Sequence, residues 1–212
     1  MAGSHPRSSS ANGVSRPIRI AFTLHELGQG GTDRVGIHLA RGFAEHGFDV
    51  ELIVLFGAAP ATLAMLSLLG ERVSVSVLHG RPGSRHVDRL AALPRLVSRL
   101  RASAPDVVVS TGNNMNWITA LALRLSELPR SRLVLKMTNP VIRDRDGLFR
   151  RGYRRARYRA AFARSDLVLT LCDRETDELR AMFPALGRRV RTATNPYVTP
   201  EMLTCDDHEG VG

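Results

Sequence analysis

Lysine is almost absent from this chain. Of the 30 basic residues in 212, only Lys136 is a lysine, so arginine carries the formal charge of +10. Arginine-rich coding explains such a balance without reference to function; an anionic partner (nucleic acid, phospholipid or a nucleotide) is the functional explanation. Cysteine is scarce as well. Cys172 and Cys205 make neither a disulfide framework nor a zinc motif. A reducing cytoplasm is the simplest setting for them, with Cys172 expected as a buried thiol at the end of a strand. Long apolar runs are missing, and stretches such as 118–123 are far too short to span a bilayer. The histidines show no metal spacing, and neither GxSxG nor HExxH occurs, which removes the hydrolase templates. Residues 1–16 are rich in serine without the apolar stretch of a secretory signal, and read as a disordered leader.

What remains is a regular alternation of strands and helices. Short runs of Val, Ile and Leu predict strands at 18–24, 50–56, 73–78, 107–111, 133–137, 167–171 and 190–193. Continuous apolar runs of this kind suit strands covered on both faces, hence a parallel sheet between helix layers. Helices are expected at 61–69, 87–102, 114–128, 148–164 and 174–183, besides one opening near Thr32 and stopping at Gly47. Pro94 implies a kink or a late start in the helix at 87–102. Asp173 is a candidate cap for the last. The expected fold class is α/β, a Rossmann-like doubly wound parallel sheet of about seven strands. Its binding crevice would lie at the carboxyl ends of the strands. Residues 17–197 form this domain, and 198–212 read as a linker or tail.

Several residues fall where that crevice would be. Gly30 and Gly31 precede the first helix, where a bare backbone and free amides attract a phosphate; a turn needing positive φ is the other reading. Thr32 sits at the helix start as its candidate cap. The GxGxxG fingerprint is out of register, because Asp33 stands where its third glycine belongs. Asn113 and Asn114 follow the fourth strand and Asn139 the fifth. Their amides suit sugar hydroxyls, or alternatively a helix cap and a turn before Pro140. His25 and Glu26 end the first strand and suit either acid–base work or local loop bonds.

The helix at 148–164 carries Arg150, Arg151, Arg154, Arg155, Arg157 and Arg159 without an acidic residue. Phe149, Tyr153, Ala156 and Ala160 share one stripe, expected to be buried. The arginines suit a solvated face, a peripheral contact with anionic membrane through Arg150, Arg151, Arg154 and Arg155, or nucleic acid; no nucleic-acid motif accompanies them.

Five segments in order carry a family resemblance. They are Gly30-Gly31-Thr32-Asp33-Arg34, the helix and strand from Leu39 to Val50 through His46-Gly47, Pro105-Asp106-Val107-Val108, Ser165-Asp166-Leu167-Val168, and Arg189-Val190 through Asn195-Pro196. Together they resemble the N-terminal domain of the family-four glycosyltransferases, enzymes of the GT-B fold. The resemblance implies transfer of a sugar from a nucleotide-sugar to a glycan or lipid-linked acceptor. It further implies retention of configuration, and no cofactor or metal beyond the co-substrate. Gly30, Gly31 and Thr32 would be the glycine loop near the donor phosphates and the acceptor, with Asn113 and Asn139 as further substrate-binding residues. Asn139 stands where many members have histidine, and no catalytic residue is assigned. The family's second domain, with its spaced glutamate pair, is expected to be absent from this sequence. The expected protein is therefore the acceptor-side half, inactive alone and completed by a separate C-terminal domain. The alternative is a non-catalytic binding or regulatory half-domain. The expected place is the cytoplasm, peripheral at the inner membrane face.

Overall fold

The computed structural model describes residues 16–27, 30–57, 69–79, 87–141 and 147–195. The expected helix at 61–69, the leader, Cys205 and the tail lie essentially outside these residues. Seven strands form one sheet in the order β3-β2-β1-β4-β5-β6-β7, and every neighbouring pair is parallel. They are β1 (Arg19–Glu26), β2 (Asp49–Phe56), β3 (Val73–His79), β4 (Val107–Ser110), β5 (Arg132–Lys136), β6 (Leu167–Thr170) and β7 (Val190–Thr192). The helices are α1 (Gly31–Glu45), α2 (Val87–Ser103), α3 (Asn113–Leu125), α4 (Leu148–Arg164) and α5 (Asp173–Met182). The expected Rossmann-like doubly wound sheet is thus the observed fold.

The central strands alternate between two cores, as a period of two demands. On β1, Ala21 packs toward α2–α5, whereas Ile20, Phe22 and Leu24 pack toward α1. On β2, Ile53 and Leu55 take the first side, and Val50, Leu52 and Val54 the second. Both faces being covered, these strands contain little but aliphatic residues.

Two aspartates hold the amino ends of the strands in register. Asp106, just before β4, donates its N–H to the Arg19 carbonyl at 2.9 Å and accepts the Arg19 N–H on Oδ2 at 2.9 Å. Asp166, just before β6, does the same to Leu133 of β5, at 2.9 and 2.8 Å. The Arg16 guanidinium also clasps Asp106, and with the Arg19 amide it holds that carboxyl below the usual carboxylate range. The Pro-Asp-Val-Val and Ser-Asp-Leu-Val segments therefore have a mechanical meaning: the aspartate extends each strand's ladder by one side-chain bond.

Helix ends account for most departures from the sequence expectations. Gly47 stops α1 in a Schellman turn, with φ of +87° and with Gly47 N–H bonded to Ala44 and Phe48 N–H to Phe43. Thr32 does not cap α1. The cap position is Gly30, and Thr32 lies inside the first turn. Asp173 likewise lies inside α5; Cys172 occupies the cap position, and Glu175 reaches back to the Leu171 N–H at 3.0 Å. Cys172 is exposed, not buried, because β6 ends two residues earlier. Pro94 sits within α2, which starts at Val87 and so has no late start. On α4 the expected stripe is inverted: Phe149, Tyr153, Ala156 and Ala160 are all exposed, and the helix is buried through Ala161 and Phe162.

Lys136, the lone lysine, ends β5 only 2% exposed and donates from Nζ to the Ala193 carbonyl at 3.0 Å. It ties the chain beyond β7 back to the sheet. Burial lowers its pKa, against the pull of Glu175. The unfolded chain therefore holds this proton more tightly than the folded one. Stability is expected to rise with pH between the lowered folded value and the ordinary lysine value of about 10.4. Lys136→Met should flatten that rise in urea unfolding followed from pH 7 to 10; an unchanged slope would contradict this account.

Candidate functional site

The strand order reverses between β1 and β4, and helices leave these two strands toward opposite faces. Their carboxyl ends therefore part and leave a crevice. It encloses roughly 870 Å³ including its open mouth, between the end of β1, the start of α1 and the loops after β4 and β5. Gly30, Thr32, Asn113 and Asn139 all line it, together with His25 and Glu26. Gly31 begins α1 beside them, facing solvent.

The glycines have different uses from those expected. Gly30 has φ of −71°, so the turn does not require positive φ there. The amides of Asp33 and Arg34 both bond to the Gly30 carbonyl. Those of Gly31 and Thr32 have no acceptor among the described residues and remain at the mouth of the helix. The Asp33 carboxylate stands at the same helix end, its Oδ2 3.2 Å from where a Gly30 side chain would begin.

Close approach is instead the business of two glycines that the sequence reading passed over. A Cβ on Gly112 would lie 2.7 Å from the Thr32 methyl. A Cβ on Gly36 would lie 3.1 Å from Leu24 and 3.3 Å from the Thr111 methyl. Side chains at these positions would push α1 away from the ends of β1 and β4.

Asn113 does not cap α3, whose cap position is Gly112. Its side chain crosses to the next loop. Oδ1 accepts from the N–H groups of Thr138 at 2.7 Å and Asn139 at 3.3 Å, and from the Thr138 hydroxyl at 3.2 Å. Nδ2 donates to the Asn139 carbonyl at 2.7 Å and to the Tyr158 hydroxyl at 2.8 Å. Both amide hydrogens and both lone pairs are thereby used within the protein. Asn113 fixes the far wall of the crevice. Asn139, held by these bonds through its backbone, keeps its side-chain carbonyl without a hydrogen bond among the described residues.

Below Asn113, on the same face of α3, Asn116 is fully buried. It accepts from Ser110 Oγ at 2.7 Å and donates to the Lys136 carbonyl at 3.3 Å, linking the ends of β4 and β5. Its spacing of three from Asn113 is the sequence signal that could have found it. Tyr158 had no comparable signal, since its partner lies 45 positions away.

The crevice thus presents donors, in the helix amides, beside acceptors, in Asp33, Glu26 and Asn139. Hydroxyl-rich ligands use both. Among the described residues no cluster of three or more His, Cys, Asp or Glu could hold a metal ion.

Gly112→Ala is expected to destabilise the domain by about 1–3 kcal/mol through overpacking against Thr32. Adding Thr32→Ser, which deletes the opposing methyl, should recover at least half of that loss in urea unfolding. No recovery would show that the contact is not the constraint.

A glycosyl transferase 4-like domain model matches residues 30–197. No curated protein sequence matches the chain. Solved structures share the fold. A lipopolysaccharide outer core galactosyltransferase, WaaB, superposes with a TM-score of 0.58 at 14% identity, over 84% of this chain and 46% of that one. Anabaena Alr3699/HepE, solved with UDP and glucose, gives 0.55 at 16% identity, over 87% and 47%. A UDP-N-acetylglucosamine 2-epimerase gives 0.60 at 11% identity, over 85% and 49%. This chain spans about half the length of each of these structures. The superpositions speak for the fold; the matched family model, covering most of the sequence, shows that the chain belongs to the glycosyl transferase 4-like domain family.

Proposed function

We propose that this chain supplies the acceptor-side half of a glycosyltransferase that moves a sugar from a nucleotide-sugar to a glycan or lipid-linked acceptor. The observation that carries this reading is the convergence of Gly30, Thr32, Asn113 and Asn139 on one crevice at the sheet's switch point. Gly31 and Thr32 present amides to a phosphate or an acceptor oxygen. Asp33, Glu26 and Asn139 accept from sugar hydroxyls. Asn113 acts through Asn139 and Thr138 as a positioning residue.

In this proposal transfer proceeds with retention of configuration and without a metal. The donor-binding residues belong to a second domain that closes over the crevice, so the chain alone is inactive. Contact with anionic membrane through Arg150, Arg151, Arg154 and Arg155, at the inner membrane face, belongs to the same reading. Among the described residues no helix is long and apolar enough to cross a membrane.

Purified chain incubated with radiolabelled UDP- and GDP-sugars and extracted acceptor lipids should transfer no label above blank. Robust transfer would overturn the half-site assignment. In the same assay, a protein that joins residues 1–197 to a donor-binding domain should transfer label, and Asn139→Ala should lower its kcat/KM by about tenfold, the worth of one hydrogen bond gained in the transition state.

A further inference from the structure

Past its first residue, β2 carries one charged side chain, Glu51, and that side chain is held in the core at 7% exposure. Its Oε1 accepts from Ser76 Oγ at 2.7 Å and from Arg99 Nε of α2 at 2.5 Å. An apolar residue of similar volume would hold α2 against the sheet without the cost of burying a carboxylate. The pair is also left half used. Glu51 Oε2 and both Nη groups of Arg99 make no hydrogen bond among the described residues. None of these atoms is sealed in the interior.

Both residues line a cavity at the amino edge of the sheet, roughly 550 Å³ with its open mouth, between the starts of β1, β2 and β3 and the second half of α2. A second ion pair stands on its rim. Arg19 Nε lies 3.5 Å from Asp49 Oδ2, and Arg19 Nη1 donates to the Ser103 carbonyl at 3.4 Å. Arg19 Nη2 and Asp49 Oδ1 have no further partner among the described residues. The cavity therefore offers unused guanidinium donors beside unused carboxylate acceptors, and the two signs cancel.

That balance selects the ligand. A simple anion would meet Glu51 and Asp49, and a simple cation would meet Arg99 and Arg19. A polyol reaches both kinds of group, but only through bonds with one charged partner. A zwitterion places a charge on each, and bonds between two charged groups are the strong ones. The recess of Glu51 admits a small molecule and keeps a protein surface out.

We propose that this cavity binds a small zwitterion, an α-amino acid, with its carboxylate on the guanidiniums of Arg99 and Arg19 and its ammonium on Glu51 Oε2. The site is separate from the crevice. Arg19 and Glu26 stand at opposite ends of β1, about 23 Å apart at some 3.3 Å per residue. The ligand is thus neither the sugar donor nor the acceptor, and the inference does not rest on the transferase reading.

Amide shifts of the isotopically labelled chain, titrated with glycine, L-alanine and L-serine, test the site. At least one of the three should give saturable shifts at Ile20, Ala21, Glu51 and Ala102. The amide of the tightest binder, which lacks the carboxylate, and its deamino acid, which lacks the ammonium, should each bind at least about tenfold more weakly. Glu51→Met with Arg99→Met exchanges the ion pair for apolar groups, which such sites tolerate in folding, and should abolish the shifts. Arg19→Gln, at an exposed position, should weaken binding several-fold. Arg188→Gln, beside β7 at the other end of the sheet, should leave it unchanged. No saturable shift with any of the three at tens of millimolar, equal binding of the amide or the deamino acid, indifference to Arg19→Gln, survival of binding in the folded double methionine variant, or equally strong shifts of the same amides by glucose would each overturn the site. None of these outcomes bears on the crevice.

Discussion

The site depends on one close approach, that of the α1 start against the turn after β4. A Cβ at Gly112 would meet the Thr32 methyl at 2.7 Å, so something there would have to shift, and one at Gly36 would sit tightly, at 3.1–3.3 Å, against Leu24 and Thr111. With α1 held that near, its free amides lie across from the loop after β5. The same arrangement follows from the sheet order, since β1 is flanked by β2 and β4 and the chain winds away from it in both directions. The crevice is thus a consequence of topology, and its width depends on the bare backbone at Gly112, with Gly36 packed tightly beside it.

Rigidity is supplied from the opposite wall. Asn113 and Asn116 hold the β4 and β5 loops together with a network whose members are satisfied, and satisfied buried networks specify one geometry. This explains why a residue type suited to sugar binding is here committed to the protein itself. In the proposed function, ligand contact passes to neighbours that Asn113 orients. Lys136 and the aspartates at 106 and 166 act in the same manner at other points of the sheet, each tying a chain end or strand end with a single polar side chain.

The sheet was legible because burial on both faces leaves little choice but Val, Ile and Leu in β1, β2, β4 and β6. The motif aspartates were visible as a pattern, and their bonds to the neighbouring strand supply the cause. Helix caps were misplaced at Thr32, Asn113 and Asp173 because each stands one or two positions inside its helix, a difference that residue type cannot resolve. The burial of α4 was inverted for a different reason. Its apolar periodicity is real, but Phe149 and Tyr153 are exposed, and Tyr158 and Phe162 turn inward instead. Periodicity reports that a face is apolar; what covers it is decided by tertiary contacts. Gly36 and Gly112 were illegible individually, since nothing in the sequence brings Thr111 to α1.

The central proposal is that, among the described residues, this crevice receives the acceptor and the phosphates of the nucleotide-sugar, whose remaining groups fall to the second domain. The most direct measurement is titration of the isotopically labelled chain with UDP-glucose, followed by amide chemical shifts. The account predicts weak binding with shifts confined to Gly30, Gly31, Thr32 and Asn139. Gly112→Ala, which pushes α1 outward, should abolish them while leaving the shifts of β2 and β3 unchanged. Shifts clustered elsewhere, or none at millimolar ligand, would contradict it.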